Sequence, residues 1–388
     1  MISRRGLLTT LALGALTPPA LLRAQAARVI ATPFALQEGR IWLAATIGGS
    51  RPLQFLLDTG AVVSLIQERL ARELDMRERG LTSLVGVGGP ARFLLYVGRD
   101  VAFSSGLIQH SVVFGAMPPE LVLGREAAGV FAAGLLTEAD SDLDFSRGEW
   151  RLYPDGRGAR EGYRELPSSI EHAPGNASGS PYMVVEAVLD GNNFRFLLDT
   201  GMPGQLMLWP HAVRRTGLWN DTRPFAPNRA RGIGGAGARG RTVRGASLRI
   251  GDFAFERPLV FLNDPASSQR STFVDGIIGL SFIELLNLST DVRRHKLWAQ
   301  PSGRPQRPDR YGLSGLWLEE RHDGLAVAEV GPGSPGAEAG LQRGDVILDL
   351  TLQEFVRRAG GRPGDTIELR YRRGSETRTA RLTLREFL

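Results

Sequence analysis

Phe55-Leu56-Leu57-Asp58-Thr59-Gly60 occurs twice in this chain, returning 141 residues later as Phe196-Leu197-Leu198-Asp199-Thr200-Gly201. In each copy the apolar run reads as a buried strand, and Asp-Thr-Gly ends it in a tight turn. A carboxylate at the end of a buried strand is costly unless it is paired, hydrogen-bonded or protonated. Two such carboxylates on two similar half-chains point to one shared site on a pseudo-twofold axis.

Working outward, the surroundings of the two copies repeat as well. An apolar stretch at 40–47 precedes the first copy, and one at 183–188 precedes the second. Helical spacing follows at 67–74 and again at 210–216. Gly86-Val87-Gly88-Gly89 is answered by Gly232-Ile233-Gly234-Gly235, 146 residues on. Both stretches are too glycine-rich for core strands and suit hairpin tips. Val113-Phe114 and Gly129-Val130-Phe131-Ala132 are answered at 147 by Val260-Phe261 and Gly276-Ile277-Ile278-Gly279. This shared order marks an internal duplication. Short strands are expected at 93–97, 101–103 and 112–114. An exposed linker rich in Gly, Pro and Ser is expected at 154–181, with a second, stiffer one at 301–308.

The bulk composition narrows the classes. At 388 residues two or three domains are expected, and 48 Gly with 23 Pro favour strands and turns over long helices. The net charge of +6 comes from scattered arginines, with Lys296 the single lysine, so no nucleic-acid partner is expected. The chain has no cysteine, which excludes thiol catalysis and disulfides. Residues 1–26 combine Arg4-Arg5, an apolar run from Leu11 to Leu16 and Ala24-Gln25-Ala26. They read as a twin-arginine-like export signal of a bacterial periplasmic or secreted protein. No stretch reaches the roughly 20 apolar residues of a membrane span.

Across a pseudo-twofold axis, Asp58 and Asp199 would face each other and hold one proton between them. Such a pair activates a water with its charged member and hydrogen-bonds a carbonyl with its neutral one, needing no metal or cofactor. Thr59 and Thr200 have hydroxyls suited to buttressing it. Gly60 and Gly201 let backbone N–H groups approach without a Cβ in the way. The five histidines, His110, His172, His211, His295 and His322, lack metal-ligand spacing, and no Gly-x-Ser-x-Gly is present.

These two triplets, each with a glycine-rich hairpin and an apolar-apolar-Gly element behind it, resemble the aspartic proteases. The single-chain duplication is like pepsin, while the short halves look more like the retroviral type. The resemblance implies a mainly β fold, with two pseudo-twofold-related lobes over 27–160 and 161–303. It also implies catalytic Asp58 and Asp199, flaps at Gly86–Gly89 and Gly232–Gly235, and an extended peptide or unfolded protein as substrate. The chain differs from the family in Met202-Pro203-Gly204 after the second triplet and in Ala132 where Gly279 stands in the second half. It also has no tyrosine in the first flap, and Arg92, Arg231 and Arg239 flank the flaps. A catalytically inactive periplasmic peptide-binding protein on the same fold is the alternative. Residues 304–388 resemble a PDZ domain (α+β) through Gly333-Ser334-Pro335, Ala339-Gly340-Leu341 and Arg343-Gly344-Asp345-Val346-Ile347. That resemblance implies a carboxylate-binding loop at Leu313-Ser314-Gly315-Leu316 for a C-terminal peptide ligand.

Overall fold

Alternation along Leu53–Leu57 buries Phe55 and Leu57 on one face and turns Leu56 to the other. The Phe55 ring packs on Phe131 at 4.4 Å and on Phe114 at 5.9 Å. Truncating so enclosed an aromatic side chain costs about 3–5 kcal/mol. Around this strand, the computed structural model describes residues 28–388, apart from 87–88, 119–120, 122, 125–126, 175–178, 233–234 and 268–272. The export signal expected at 1–26 and the tip residues Val87, Gly88, Ile233 and Gly234 lie outside the described residues.

The protein is mainly β, with two barrel-like lobes. In the first, Leu53–Leu57 lies parallel to Ala127–Phe131, which lies antiparallel to Ser64–Ile66, which lies parallel to Ile108–Ala116. The second lobe repeats that threading with Asn192–Asp199, Gly276–Gly279, Leu206–Leu208 and Leu259–Asn263. Identical pairing in the two halves is the tertiary counterpart of the sequence repeat. A six-stranded sheet joins the lobes, with Leu143 paired to Leu288 where Ser141–Asp144 meets Leu286–Asp291.

Each lobe carries one long hairpin. In the first lobe Arg77–Gly86 pairs with Gly89–Phe103, closing with Gly86 opposite Gly89. In the second, Ala226–Gly232 pairs with Gly235–Arg244, closing with Gly232 opposite Gly235. The separate short strands expected at 93–97 and 101–103 are one strand. Gly98 does not break it: a Cβ there would lie 2.9 Å from the Phe114 ring, so the glycine makes room for packing. The stretch 154–181 is also not simply an exposed linker. Arg164–Glu165 joins the six-stranded sheet, Ser168–Glu171 pairs with Tyr182–Leu189, and Leu166 and Ile170 are buried.

The C-terminal region forms a five-stranded antiparallel sheet, in the order Leu316–Arg321, Gly324–Val330, Val346–Leu348, Thr366–Arg373, Glu376–Thr383. It has its own apolar core around Leu318, Val327, Ile347, Leu369 and Leu382. The helix Leu352–Ala359 begins at a capping box, with Thr351 and Glu354 satisfying each other's backbone N–H groups. This domain sits against the second long hairpin. Arg241, stacked on Phe225 (3.8 Å) and Trp219 (4.3 Å), pairs with Glu329 at 3.1 Å. Arg229 covers Trp317 and pairs with Glu319 at 2.7 Å.

Candidate active site

Both triplets arrive at one place. Asp58 N–H donates to the Phe131 carbonyl at 2.9 Å, fixing the end of its strand, and Asp199 lies in register with Gly279. The carboxylates face each other across the lobe boundary. A Cβ on Gly60 would lie 2.5 Å from Asp199 Cγ, and one on Gly201 would lie 2.5 Å from Asp58 Oδ2. Each glycine is therefore a steric requirement set by the other lobe's aspartate. Gly60 N–H donates to Asp58 at 2.9 Å. Asp199 accepts from Gly201 N–H at 2.8 Å and Met202 N–H at 3.2 Å.

Beneath the carboxylates the threonines cross over. Thr59 N–H donates to Thr200 Oγ1 (3.1 Å) and Thr200 N–H to Thr59 Oγ1 (3.0 Å). Each hydroxyl then donates to the opposite strand, Thr59 to the Leu198 carbonyl and Thr200 to the Leu57 carbonyl, both at 2.7 Å. Both side chains are almost wholly buried, so each of the four bonds satisfies a group that water does not reach. The network ties the lobes together directly under the dyad.

Burial is the first cause that pushes the Asp58 carboxyl well above its ordinary range. The Asp199 charge and the hydrogen bond between the two carboxyls add to it, while Gly60 N–H and Arg40 oppose it. Asp199 is also raised by burial, against lowering bonds from Asp58 and the amides of Gly201, Met202 and Gly60. Two facing carboxyls coupled in this way titrate as a pair. Tyr182 feels both carboxylates: burial first, then their charges, push its hydroxyl up to about 12.

Neither departure in sequence intrudes on the carboxylates. Met202 contributes its amide to Asp199, and a Cβ on Gly279 would collide with the Gly204 carbonyl and lie 2.7 Å from that of Met202, so only glycine fits there. The first lobe keeps the equivalent connection, with Ala133 N–H donating to the Ala61 carbonyl at 3.0 Å, and Ala132 donates its amide to Ser64 Oγ at 3.1 Å. Arg40 and Tyr182 escaped the sequence reading. Trp42 pairs with Leu56 and Val184 with Leu197, so two further residues of register set Arg40 beside Asp58 and Tyr182 beside Asp199. Strand alternation counted back from each aspartate was the signal that would have found them.

Apolar patches flank the dyad on the faces of Leu56 and Leu197. The first-lobe patch groups Leu56, Leu65 and Val130 with Trp42. The second groups Val184, Leu197 and Ile277 with Tyr182, Met202 and Phe273. The loop Leu313-Ser314-Gly315-Leu316 lies in the C-terminal domain, apart from the dyad. Gly315 N–H donates to the Gly312 carbonyl (3.0 Å) and Leu316 N–H to Ser314 Oγ (3.3 Å), so two of its amides have internal acceptors.

The chain matches the family described as "Aspartyl protease" at residues 43–133 and again at 185–282, one stretch in each lobe. The mainly β fold with its two barrel-like lobes resembles the aspartic-protease fold. Among solved structures it is similar to Basic 7S globulin from soybean, at 10% identity and TM-score 0.42, over 71% of this chain and 95% of that one. It is also similar to the aspartic proteinase from Irpex lacteus, at 12% identity and TM-score 0.43, over 71% and 98% of the two chains. No curated protein matches the sequence.

Proposed function

We propose that this protein is an exported aspartic endopeptidase that hydrolyses extended or unfolded polypeptides with a water activated by Asp58 and Asp199. The observation that carries the reading is the facing pair of carboxyls, both raised by burial, over crossed threonine bonds. In this reading the charged carboxylate takes a proton from the water as its oxygen bonds to the scissile carbonyl carbon. The neutral carboxyl gives its own proton to the carbonyl oxygen. The resulting diol returns one hydroxyl proton to the dyad. The dyad's other proton passes to the amide nitrogen, the C–N bond breaks, and one proton again remains on the pair.

The hairpins ending at Gly86–Gly89 and Gly232–Gly235 would act as flaps over the peptide, and the two apolar patches would take apolar side chains next to the scissile bond. Residues 1–26 would direct export to the periplasm or the medium. Among the described residues, no helix is long and apolar enough to cross a membrane. Residues 304–388 would act as a PDZ-like module that recruits substrate. A peptide would add along the outer edge of Leu316–Arg321, which pairs with no strand among the described residues, with Leu313–Leu316 as the carboxylate loop and Leu352–Ala359 as the groove wall.

The test is cleavage of a denatured protein by wild type, Asp58→Asn and Asp199→Asn. Turnover by wild type that disappears in both variants, with the fold intact by circular dichroism, is expected. Undiminished cleavage in both variants ends the catalytic reading. A wild type that binds peptides and cuts none leaves the binding-protein alternative.

A further inference from the structure

The two aspartates have unlike neighbours, and the neighbour of Asp58 is a cation. Arg40 opens the strand Arg40–Ile47, in which Ile41 and Leu43 enter the core and Arg40 and Trp42 take the opposite face. Asp58 shares that face, two residues beyond the Trp42–Leu56 pair. The turn before Arg40, Glu38-Gly39 in left-handed conformation, reaches the other lobe. A Cβ on Gly39 would lie 3.5 Å from Pro203, in the segment that follows the second triplet. Arg40 therefore sits half-buried at the lobe junction, beside the dyad.

What sets it apart from the other half-buried arginines among the described residues is its lack of a partner. The other cation on this turn, Arg307, lies against Gly39 and pairs with the buried Glu284. Arg294, Arg244 and Arg241 each pair with a carboxylate as well. Among the described residues, the Arg40 guanidinium has neither an ion pair nor a hydrogen bond. Its charge is nevertheless felt at Asp58. An arginine held half-buried with its five donors unused is a ready receptor for a carboxylate. The structurally equivalent position beside Asp199 is Tyr182, which carries no charge, so this receptor lies on one side of the dyad only.

We infer that Arg40 is a specificity-determining residue, which binds an acidic side chain of the substrate on the part of the peptide that crosses the first lobe. The inference rests on the peptidase reading for the chemistry but not for the binding. A carboxylate there would bond to the guanidinium through charge-assisted hydrogen bonds in a partly desolvated site. The matching amide can accept a hydrogen bond from the guanidinium but brings no charge, so it binds more weakly.

The experiment uses the full chain and paired peptides that differ only by Glu or Gln at each position flanking the scissile bond. Wild type is expected to show kcat/KM about tenfold higher for Glu than for Gln at one position, lying to one side of the bond. Arg40→Gln should erase that difference, Arg40→Lys should keep part of it, and Arg40→Glu should favour a Lys peptide there. Equal kcat/KM for every Glu/Gln pair with wild type overturns the inference while leaving the peptidase reading intact. If no peptide is cut, that reading fails on its own, and calorimetric binding of the same pairs decides on Arg40. Tighter binding of a Glu peptide, lost in Arg40→Gln, supports it, and equal affinities overturn it.

Discussion

The two lobes thread their strands identically and differ in what they show to the rest of the molecule. Leu95 of the first hairpin pairs with Gly115, and Arg241 of the second pairs with Leu262, at the same point of the repeat. Where the first lobe has a half-buried leucine, the second has a buried arginine held by Glu329 of the C-terminal domain. Gly331 packs so closely on the Phe225 carbonyl that a Cβ would collide with it. One hairpin is thus tied to a third domain, and the other has no such tie among the described residues. Next to the dyad, Arg40 faces Asp58 and Tyr182 faces Asp199. The halves keep the strand pairing, and at Arg241 and Arg40 they differ at positions whose side chains point away from the lobe core.

The largest test of this pairing of like and unlike is the dyad, where the halves should be equal. Asp58→Asn and Asp199→Asn should each lower kcat by at least about a thousandfold, since each removes a member of one catalytic unit. A variant that keeps more than a tenth of the activity would break the symmetry.

The tie to the C-terminal domain comes next. Arg241→Leu, which gives the second hairpin the residue of the first, leaves the buried Glu329 with only the longer Arg239 contact at 3.9 Å. It should destabilise the protein by about 3–5 kcal/mol in urea unfolding. Adding Glu329→Leu should recover most of that loss. If the double variant is no better than the single one, the stacking on Phe225 and Trp219 rather than the charge pair holds the domain.

The threonine pair gives a smaller, symmetric effect. Thr59→Val and Thr200→Val each strand one buried amide and free one carbonyl, at about 1–3 kcal/mol by thermal or urea unfolding. Unequal losses would show that one lobe leans on the crossing more than the other.

The smallest effect separates the two neighbours of the dyad by pH. Arg40 favours the ionised form of Asp58, so Arg40→Gln should raise the pair's titration further. Both limbs of the activity–pH profile should then move upward. Tyr182→Phe removes no charge near pH 7, because the hydroxyl is pushed up to about 12, and it should leave both limbs in place. Equal shifts in the two variants would erase the distinction between Arg40 and Tyr182.

Much of the fold was legible from local signals. The buried strands Leu53–Leu57 and Asn192–Asp199, the hairpins and the capped helix Leu352–Ala359 each follow from short-range patterning. Gly98 misled because a glycine in a strand reads as a break. Here it relieves contact with Phe114, a residue brought near only by barrel closure. Arg164–Glu165 and Ser168–Glu171 read as loop because each is too short to declare itself, and both are strands through partners far along the chain.

The sequence alone determined that the chain is two copies of one β unit, each ending a buried strand in Asp-Thr-Gly, because patterning and turn chemistry are local. Only the tertiary structure decided that Gly60 and Gly201 make room for the opposite lobe's aspartate, and that the threonines cross. It also decided that an unpaired arginine and a tyrosine stand beside Asp58 and Asp199, and that Arg241 is buried against Glu329. Each of those depends on which side chains meet across the lobe and domain boundaries, and that is set by the packing of whole sheets.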